Sequence, residues 1–200
     1  MSEITMEWLS ANYIELSGAI LGLAYIFFSI RQNILTWPTG LATSLLYAAV
    51  FFQSKIYASM ALQFYYVVVS IYGWYFWLKG RKTDEKAGVP VTRLNLRLAG
   101  WLLLVGVLVY GVILFVLMRF TDSPVPFLDS LITAMSVVAT WMLARKILEH
   151  WLIWVVADLI SAGLYVYRDL WLTAVLFLIY TGMAVSGYFE WKKEWRKPAC

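Results

Sequence analysis

Seven apolar runs follow one another along these 200 residues, and several are long enough to cross a hydrocarbon core at roughly 1.5 Å of helix per residue. No single soluble domain can hide that much apolar surface. The chain is 62% hydrophobic, and its charged residues, 14% of the total, reach about half the share usual in soluble domains. The runs are continuously apolar, without the alternation a membrane β-barrel strand needs, so the reading is an all-α polytopic membrane protein. One cysteine, Cys200, allows no internal disulfide. The first run is read as a span rather than a cleaved leader: Glu3 and Glu7 precede it, Glu15 lies in it, and no basic residue comes before it.

The spans are read as Tyr13 to Ile30, Trp37 to Gln53, Ala58 to Leu78, Leu96 to Met118, Phe127 to Ala144, Trp151 to Tyr167 and Trp171 to Glu190. Seven crossings put the termini on opposite sides. Of the 16 basic residues, 13 fall on one side, including Lys79, Arg81, Lys82, Lys86, Arg93 and Arg97 in the third loop, Arg31, Arg145 and Lys146 in short turns, and the tail. Only Lys55, Arg119 and Arg168 face the other way. Basic loops stay in the cytoplasm, so the C-terminus is expected inside and the N-terminus outside. The net charge of +4 is thereby a topology signal, and a nucleic-acid partner is not needed to explain it. Trp37, Tyr57, Trp77, Trp101, Trp151, Trp171 and Trp191 lie at or near span ends, where interfacial anchors are expected.

Shifted by 114 residues, the chain matches itself without a gap. Arg31 to Lys79 against Arg145 to Lys193 gives nine identities in 49 positions, among them Arg31/Arg145, Trp37/Trp151, Tyr66/Tyr180, Gly73/Gly187 and Trp77/Trp191. Apolar bias would match leucines and alanines; it would not place those landmarks in one register. Spans 1–3 therefore correspond to spans 5–7 and run in the same direction, a parallel 3+1+3 repeat. The units are a first three-helix repeat with its basic loop (1–95), a connector helix (96–118) and a second three-helix repeat with its tail (119–200). Repeats of this kind mark transporters with a site between the halves. Leu102 to Met118 carries no charge, so the connector is expected against lipid or a partner. Gly73 and Gly187 are expected to permit close helix packing.

Asp158 is the one carboxylate at the centre of a span, and a buried midplane acid is a functional candidate by default. No cation lies at comparable depth in the sequence, so the acid is either protonated or compensated by water or a cationic ligand. Helical spacing puts Trp151, Trp154, Asp158, Ser161 and Tyr165 on one face; the equivalent face of span 2 carries Trp37, Gly40, Ser44, Tyr47 and Phe51. Aromatic planes beside a carboxylate suit a flat, positively charged ring. Span 3 presents Gln63, Tyr66, Ser70, Gly73 and Trp77, and span 7 offers Thr173, Tyr180 and Thr181. Gln63 suits a carboxamide or a hydroxyl. The expected substrate-binding set is thus Trp154, Asp158, Gln63, Tyr66, Trp151, Ser44, Tyr47, Ser70, Ser161 and Tyr180. The lone His150, placed in a loop without nearby cysteines, makes no metal site, and no phosphate-binding loop or hydrolase motif is present. No catalytic residue or cofactor is expected. A scaffold or sensor, or a carrier of neutral sugars, are the other readings; the midplane acid speaks against the last.

The stretches Trp37-Pro38-Thr39-Gly40, Ile56 to Gln63 and Ile71 to Trp77, with Arg145-Lys146, Glu149, Trp151 to Trp154, Leu164-Tyr165, Leu172-Thr173-Ala174 and Gly187-Tyr188, resemble the PnuC family of vitamin transporters over nearly the whole chain. The resemblance implies a fold similar to SWEET transporters, a homotrimer, and bacterial inner-membrane uptake of nicotinamide riboside by facilitated diffusion. A cytoplasmic kinase would trap the substrate, and relatives carry thiamine, the alternative substrate. The family's Trp-x-x-Trp falls on Trp151 and Trp154, and its Leu-Gln on Leu62 and Gln63. Ser59 stands where an Asp is common, and Asp158 where riboside carriers often have Asn. Both vitamins are flat cationic aromatics that Asp158 suits; Gln63 slightly favours the riboside.

Overall fold

The computed structural model describes residues 17–53, 57–83 and 89–197. Glu3, Glu7, Glu15, the start of the first span, Lys55, Lys86 and Cys200 lie outside the described residues. Seven helices are present among those described: α1 (Ser17–Ile30), α2 (Thr36–Gln53), α3 (Tyr57–Thr83), α4 (Leu96–Phe120), α5 (Pro126–Ala144), α6 (His150–Tyr167) and α7 (Trp171–Trp195). Helices α4 to α7 are each long and apolar enough to cross a membrane. The hydroxyls of Thr36, Thr39, Thr43 and Ser44 dilute α2, and Gln63, Ser70 and a run of tyrosines dilute α3. Helices α3 and α7 continue beyond the predicted spans, to Thr83 and Trp195.

The helix starts follow local chemistry. Asn95 caps α4 by accepting from the Leu98 amide at 2.8 Å, Pro126 opens α5 where no intrahelical donor is needed, and Pro38 sits in the first turn of α2.

The repeat is structural, and the turns reproduce it bond for bond. Gln32 N donates to Ser29 O, Asn33 N to Phe28 O, Thr36 N to Asn33 O and Trp37 N to Ile34 O; 114 residues on, Lys146, Ile147, His150 and Trp151 donate to Leu143, Met142, Ile147 and Leu148. Gln32 and Lys146 both adopt left-handed φ, 51° and 53°, to close the helices before them. Even the side chains correspond: Thr36 Oγ1 donates to Asn33 O, and His150 Nδ1 bonds Ile147 O at 2.7 Å.

Tertiary packing repeats as well. The Trp37 ring of α2 lies on Gly73 of α3, and the Trp151 ring of α6 lies on Gly187 of α7, where a Cβ would come within 2.6 Å of the indole. The glycines therefore admit a tryptophan from the neighbouring helix of their own half. Trp37 meets Trp77 edge-on at 5.3 Å, Trp151 meets Trp191 edge-on at 5.8 Å, and Trp77 and Trp191 meet each other at 6.4 Å. These four rings are buried, which corrects the expectation of interfacial anchors at those positions. Trp101 and Trp171 are exposed as anchors would be. The burial has a physical reason: in lipid no water is expelled when helices meet, so ring-on-glycine packing and hydrogen bonds decide which faces turn inward.

The halves are joined by polar contacts at the end of the bundle that carries the basic turns. Trp77 Nε1 donates to Ala144 O at 3.2 Å and Trp191 Nε1 to Ser29 O at 3.0 Å, so α3 and α7 each bind the end of the other half's first helix. Lys146 Nζ donates to Gln32 Oε1 at 2.9 Å, a bond between two repeat-equivalent residues, and lies 4.5 Å from the Trp77 ring centre. Arg145 reaches Tyr72 OH at 3.0 Å. Deeper in, Tyr65 OH donates to Val137 O at 2.6 Å.

The linker before α4 straps over the α5–α6 turn. Thr92 pairs with Lys146 and Leu148, and Glu149 accepts from Arg93 Nε at 2.9 Å and Leu94 N at 2.8 Å. The carboxylate holds the Arg93 guanidinium above its ordinary pKa. Helix α4 itself buries no residue and packs against α5, presenting Leu103, Leu104, Val107, Leu108, Val112 and Phe115 outward. This is the face expected of the connector.

Candidate functional site

A two-lobed chamber lies where the halves meet. One lobe, of about 270 Å³, is lined by Gly22 and Tyr25 of α1, Gly40, Thr43, Ser44 and Tyr47 of α2, Gln63, Tyr66 and Ser70 of α3, Thr140 of α5 and Trp154 of α6. The second, of about 220 Å³, is lined by Gly22, Tyr25, Ile26 and Ser29 of α1, Leu143 of α5, His150, Trp151, Trp154 and Asp158 of α6, and Phe177, Tyr180 and Ala184 of α7. Gly22, Tyr25 and Trp154 belong to both, so the lobes meet at that isthmus.

The chemistry of the lobes differs. The first is a wall of hydroxyls and one carboxamide. The second is aromatic and carries Asp158, which is 6% exposed and has no ion-pair partner among the described residues. The Trp154 indole and Asp158 lie one helical turn apart on α6, facing the same space. The geometry that leaves room for this space comes from glycines of α1 and α2. A Cβ at Gly22 would lie 2.6 Å from the Tyr180 hydroxyl, one at Gly18 would strike the Tyr47 hydroxyl, and one at Gly40 would lie 2.9 Å from the Tyr25 ring. Larger residues at these positions would force tyrosines into the chamber.

Nine of the ten residues expected from the sequence line the chamber: Gln63, Tyr66, Ser44, Tyr47 and Ser70 in the first lobe, Trp151, Asp158 and Tyr180 in the second, and Trp154 in both. Ser161 does not. Its hydroxyl donates to Ala157 O at 2.8 Å, and it lines a separate lateral cavity of about 500 Å³ with Leu62, Val112, Asp129, Tyr165 and Phe177. The straight helical face drawn from Trp151 to Tyr165 fails there because helices cross at an angle, and Ser161 and Tyr165 have left the interface by that height.

Tyr25, Ser29 and Thr140 of spans 1 and 5 and Thr43 of span 2 also line the chamber; the first three stand on spans whose apolar runs mark no polar face, and Thr43 is one position off the face of Gly40, Ser44 and Tyr47, so their hydroxyls are the signal that would find them. It also placed His150 in a loop. The structure makes it the first residue of α6, fully buried, with Trp151 at 4.5 Å and Trp191 at 4.8 Å.

Among the described residues no group of three or more potential metal ligands occurs. The chamber brings together stacking planes, a carboxylate and hydrogen-bonding groups, the chemistry of binding rather than of bond breaking.

Comparison with known proteins gives the same picture. A family model described as nicotinamide mononucleotide transporter matches residues 12–193. The chain is 28% identical over 204 residues to the nicotinamide riboside transporter PnuC of Escherichia coli, covering 90% of this chain and 85% of that protein. It is 25% identical over 203 residues to the riboflavin/roseoflavin transporter RibM of Streptomyces davaonensis, covering 93% and 92%. A crystal structure of the vitamin B3 transporter PnuC superposes with a TM-score of 0.74 at 23% identity, covering 97% of this chain and 86% of that one.

Proposed function

We propose, from the premise that this chain belongs to the nicotinamide mononucleotide transporter family, that it carries nicotinamide riboside across the membrane. One observation supports this substrate above the rest: the chamber between the halves pairs a lone carboxylate, Asp158, with the Trp154 indole, and opens into a lobe of hydroxyls and a carboxamide. A flat aromatic cation bearing a sugar satisfies both. The carboxylate attracts the pyridinium, Trp154 stacks on it, and among the described residues neither lobe contains the Arg or Lys that a phosphate would need.

The units 1–95 and 119–200 rock about the chamber with 96–118 as connector. The bonds from Trp77, Trp191 and Lys146 across the halves form the gate at the basic end, which the charge pattern puts in the cytoplasm of a bacterial inner-membrane protein. Transport is facilitated diffusion, and the protein assembles as a homotrimer through the outward face of α4.

Uptake of labelled nicotinamide riboside into proteoliposomes, with thiamine and riboflavin as competitors, tests the reading. Saturable flux that Trp154→Ala abolishes and Asp158→Asn weakens is expected. Flux that persists unchanged in both variants overturns the site, and competition by thiamine at lower concentration than the riboside overturns the substrate.

A further inference from the structure

The two lobes are repeat-equivalent. Adding 114 to Gly40, Ser44, Gln63, Tyr66 and Ser70 of the first lobe gives Trp154, Asp158, Phe177, Tyr180 and Ala184 of the second, and Thr140 corresponds to Ile26. One cavity has thus been built twice and given opposite chemistry. Where the first lobe has a small hydroxyl, a carboxamide and another hydroxyl, the second has an acid, a phenyl ring and a methyl group. A substrate made of one polar and one aromatic cationic part can lie across the isthmus in only one sense.

The second lobe has a further feature. Three residues that line it, Ser29, His150 and Trp151, are each more than nine-tenths buried, and Ser29 Oγ, His150 Nε2 and Trp151 Nε1 have no hydrogen-bond partner among the described residues; Trp37 Nε1, which lines neither lobe, is the fourth such atom. An unpaired buried polar atom is costly, and such atoms are rare without a purpose. Their roles follow from their partners. The carbonyl of Ile147 can only accept, so His150 Nδ1 carries the proton of the neutral ring and Nε2 is left as an acceptor. Trp151 Nε1 is a donor, and the Ser29 hydroxyl can donate. One acceptor beside two donors is the complement of a primary carboxamide, whose NH2 donates and whose oxygen accepts twice.

We infer that the substrate lies with its cationic ring in the lobe of Asp158 and Trp154, its carboxamide read by His150, Ser29 and Trp151, and its sugar hydroxyls in the lobe of Ser44, Gln63, Ser70 and Thr140. This rests on nicotinamide riboside being the substrate, and it assigns Gln63 to the sugar. A thiamine-like cation or a neutral flavin ring offers no exocyclic carboxamide, so the same three groups select among flat aromatic ligands.

The test is a ligand-by-variant cycle on the purified full chain, read as Kd by calorimetry. The ligands are nicotinamide riboside and the ribosylpyridinium that lacks the carboxamide; the variants are His150→Phe, Ser29→Ala and Gln63→Leu. The wild-type chain is expected to prefer the carboxamide-bearing ligand about tenfold or more. His150→Phe should bring that ratio close to one. Ser29→Ala, which removes a single hydroxyl and keeps the fold readable if the phenylalanine is not tolerated, should lower it by about threefold. Gln63→Leu should weaken both ligands alike and keep the ratio. A ratio that survives in His150→Phe and Ser29→Ala, or collapses in Gln63→Leu, overturns the orientation. So does equal binding of the two ligands by the wild-type chain. Failure of nicotinamide riboside itself to bind the wild-type chain overturns the transport reading.

Discussion

Gly187→Ala tests how the bundle is closed at its basic end. The added Cβ would lie 2.6 Å from Trp151 Cζ2 and 2.7 Å from two further ring atoms. Carbon atoms pack at about 3.5–4.0 Å, so the indole must retreat by ~1 Å. The open side left to it is the acidic lobe that it lines. Trp151 is buried against Trp191, which is itself fully buried, and against His150, whose ring packs on both tryptophans. Overpacking of this kind costs about 1–3 kcal/mol. Replacing a mid-helix glycine by alanine returns about 0.5–1 kcal/mol through backbone entropy. Gly182, on the same helix, supplies the control, because a Cβ there meets nothing within 4 Å. Gly182→Ala collects the backbone gain alone. The difference between the two variants therefore isolates the collision and should be about 1–3 kcal/mol. Parallel unfolding of both variants in one detergent, by heat or by titration with a denaturing detergent, measures it. Displacing Trp151 also narrows the acidic lobe, so Gly187→Ala should bind ligand more weakly and Gly182→Ala should not. If the two substitutions shift unfolding equally, Trp151 is not seated on α7 and the quartet of rings described above is wrong.

Three further outcomes follow from the geometry. Asp158→Asn should abolish most of the preference for the cationic riboside over its neutral dihydropyridine form, a loss of about tenfold or more for a charge in a poorly solvated lobe; equal preference in wild type and variant, by competition binding, counts against a charge-reading acid. Lys146→Met removes both the bond to Gln32 and the cation over Trp77, so amide hydrogen exchange across residues 143–150 should quicken by about threefold or more; unchanged exchange would mean that the pair does not hold the gate. Ser161→Ala should leave riboside affinity within about twofold of wild type, since its hydroxyl is spent on Ala157 O beside a different cavity; a larger loss would place the binding site in the lateral cavity.

The sequence made the helices, the repeat and most of the chamber legible, for reasons that differ. Apolar runs declare spans because lipid tolerates nothing else. The repeat could be read because Arg31, Trp37, Gly73 and Trp77 have their twins at 145, 151, 187 and 191, and the structure shows why those types recur: a tryptophan needs a glycine opposite it, and the same pair closes each half. Tryptophans near span ends read as anchors because sequence gives depth without direction. Trp101 and Trp37 have the same address, yet one faces out and the other is enclosed by Gly73 and Trp77. His150 was hidden by its neighbours. A histidine beside Glu149 at a turn looks solvated until Thr36, its equivalent, is seen making the same side-chain bond to a carbonyl three residues back. Ser161 shows the opposite error, since a face drawn along one straight helix ignores where the helix crosses its neighbours.

Symmetry is kept in one part of this molecule and lost in another, and the division matches the two tasks of a carrier. At the gate it is kept: Trp77 and Trp191 donate to the opposing half, Trp37 and Trp151 fill glycine notches, and Gln32 meets Lys146 across the centre. Equivalent contacts on both sides have similar strength, so no half is favoured to hold the other shut, and in the rocking motion proposed above the halves would separate by releasing a few matched bonds rather than by unfolding either triplet. In the chamber it is lost: the equivalent of Ser44 in the first lobe is Asp158 in the second, and that of Gln63 is Phe177. A symmetric chamber would hold a two-part ligand equally well in either sense, and each sense would present different groups to the gate. Divergence of the lobes removes that degeneracy and gives every substrate molecule one orientation. The gate can then stay simple, because discrimination has already been made above it.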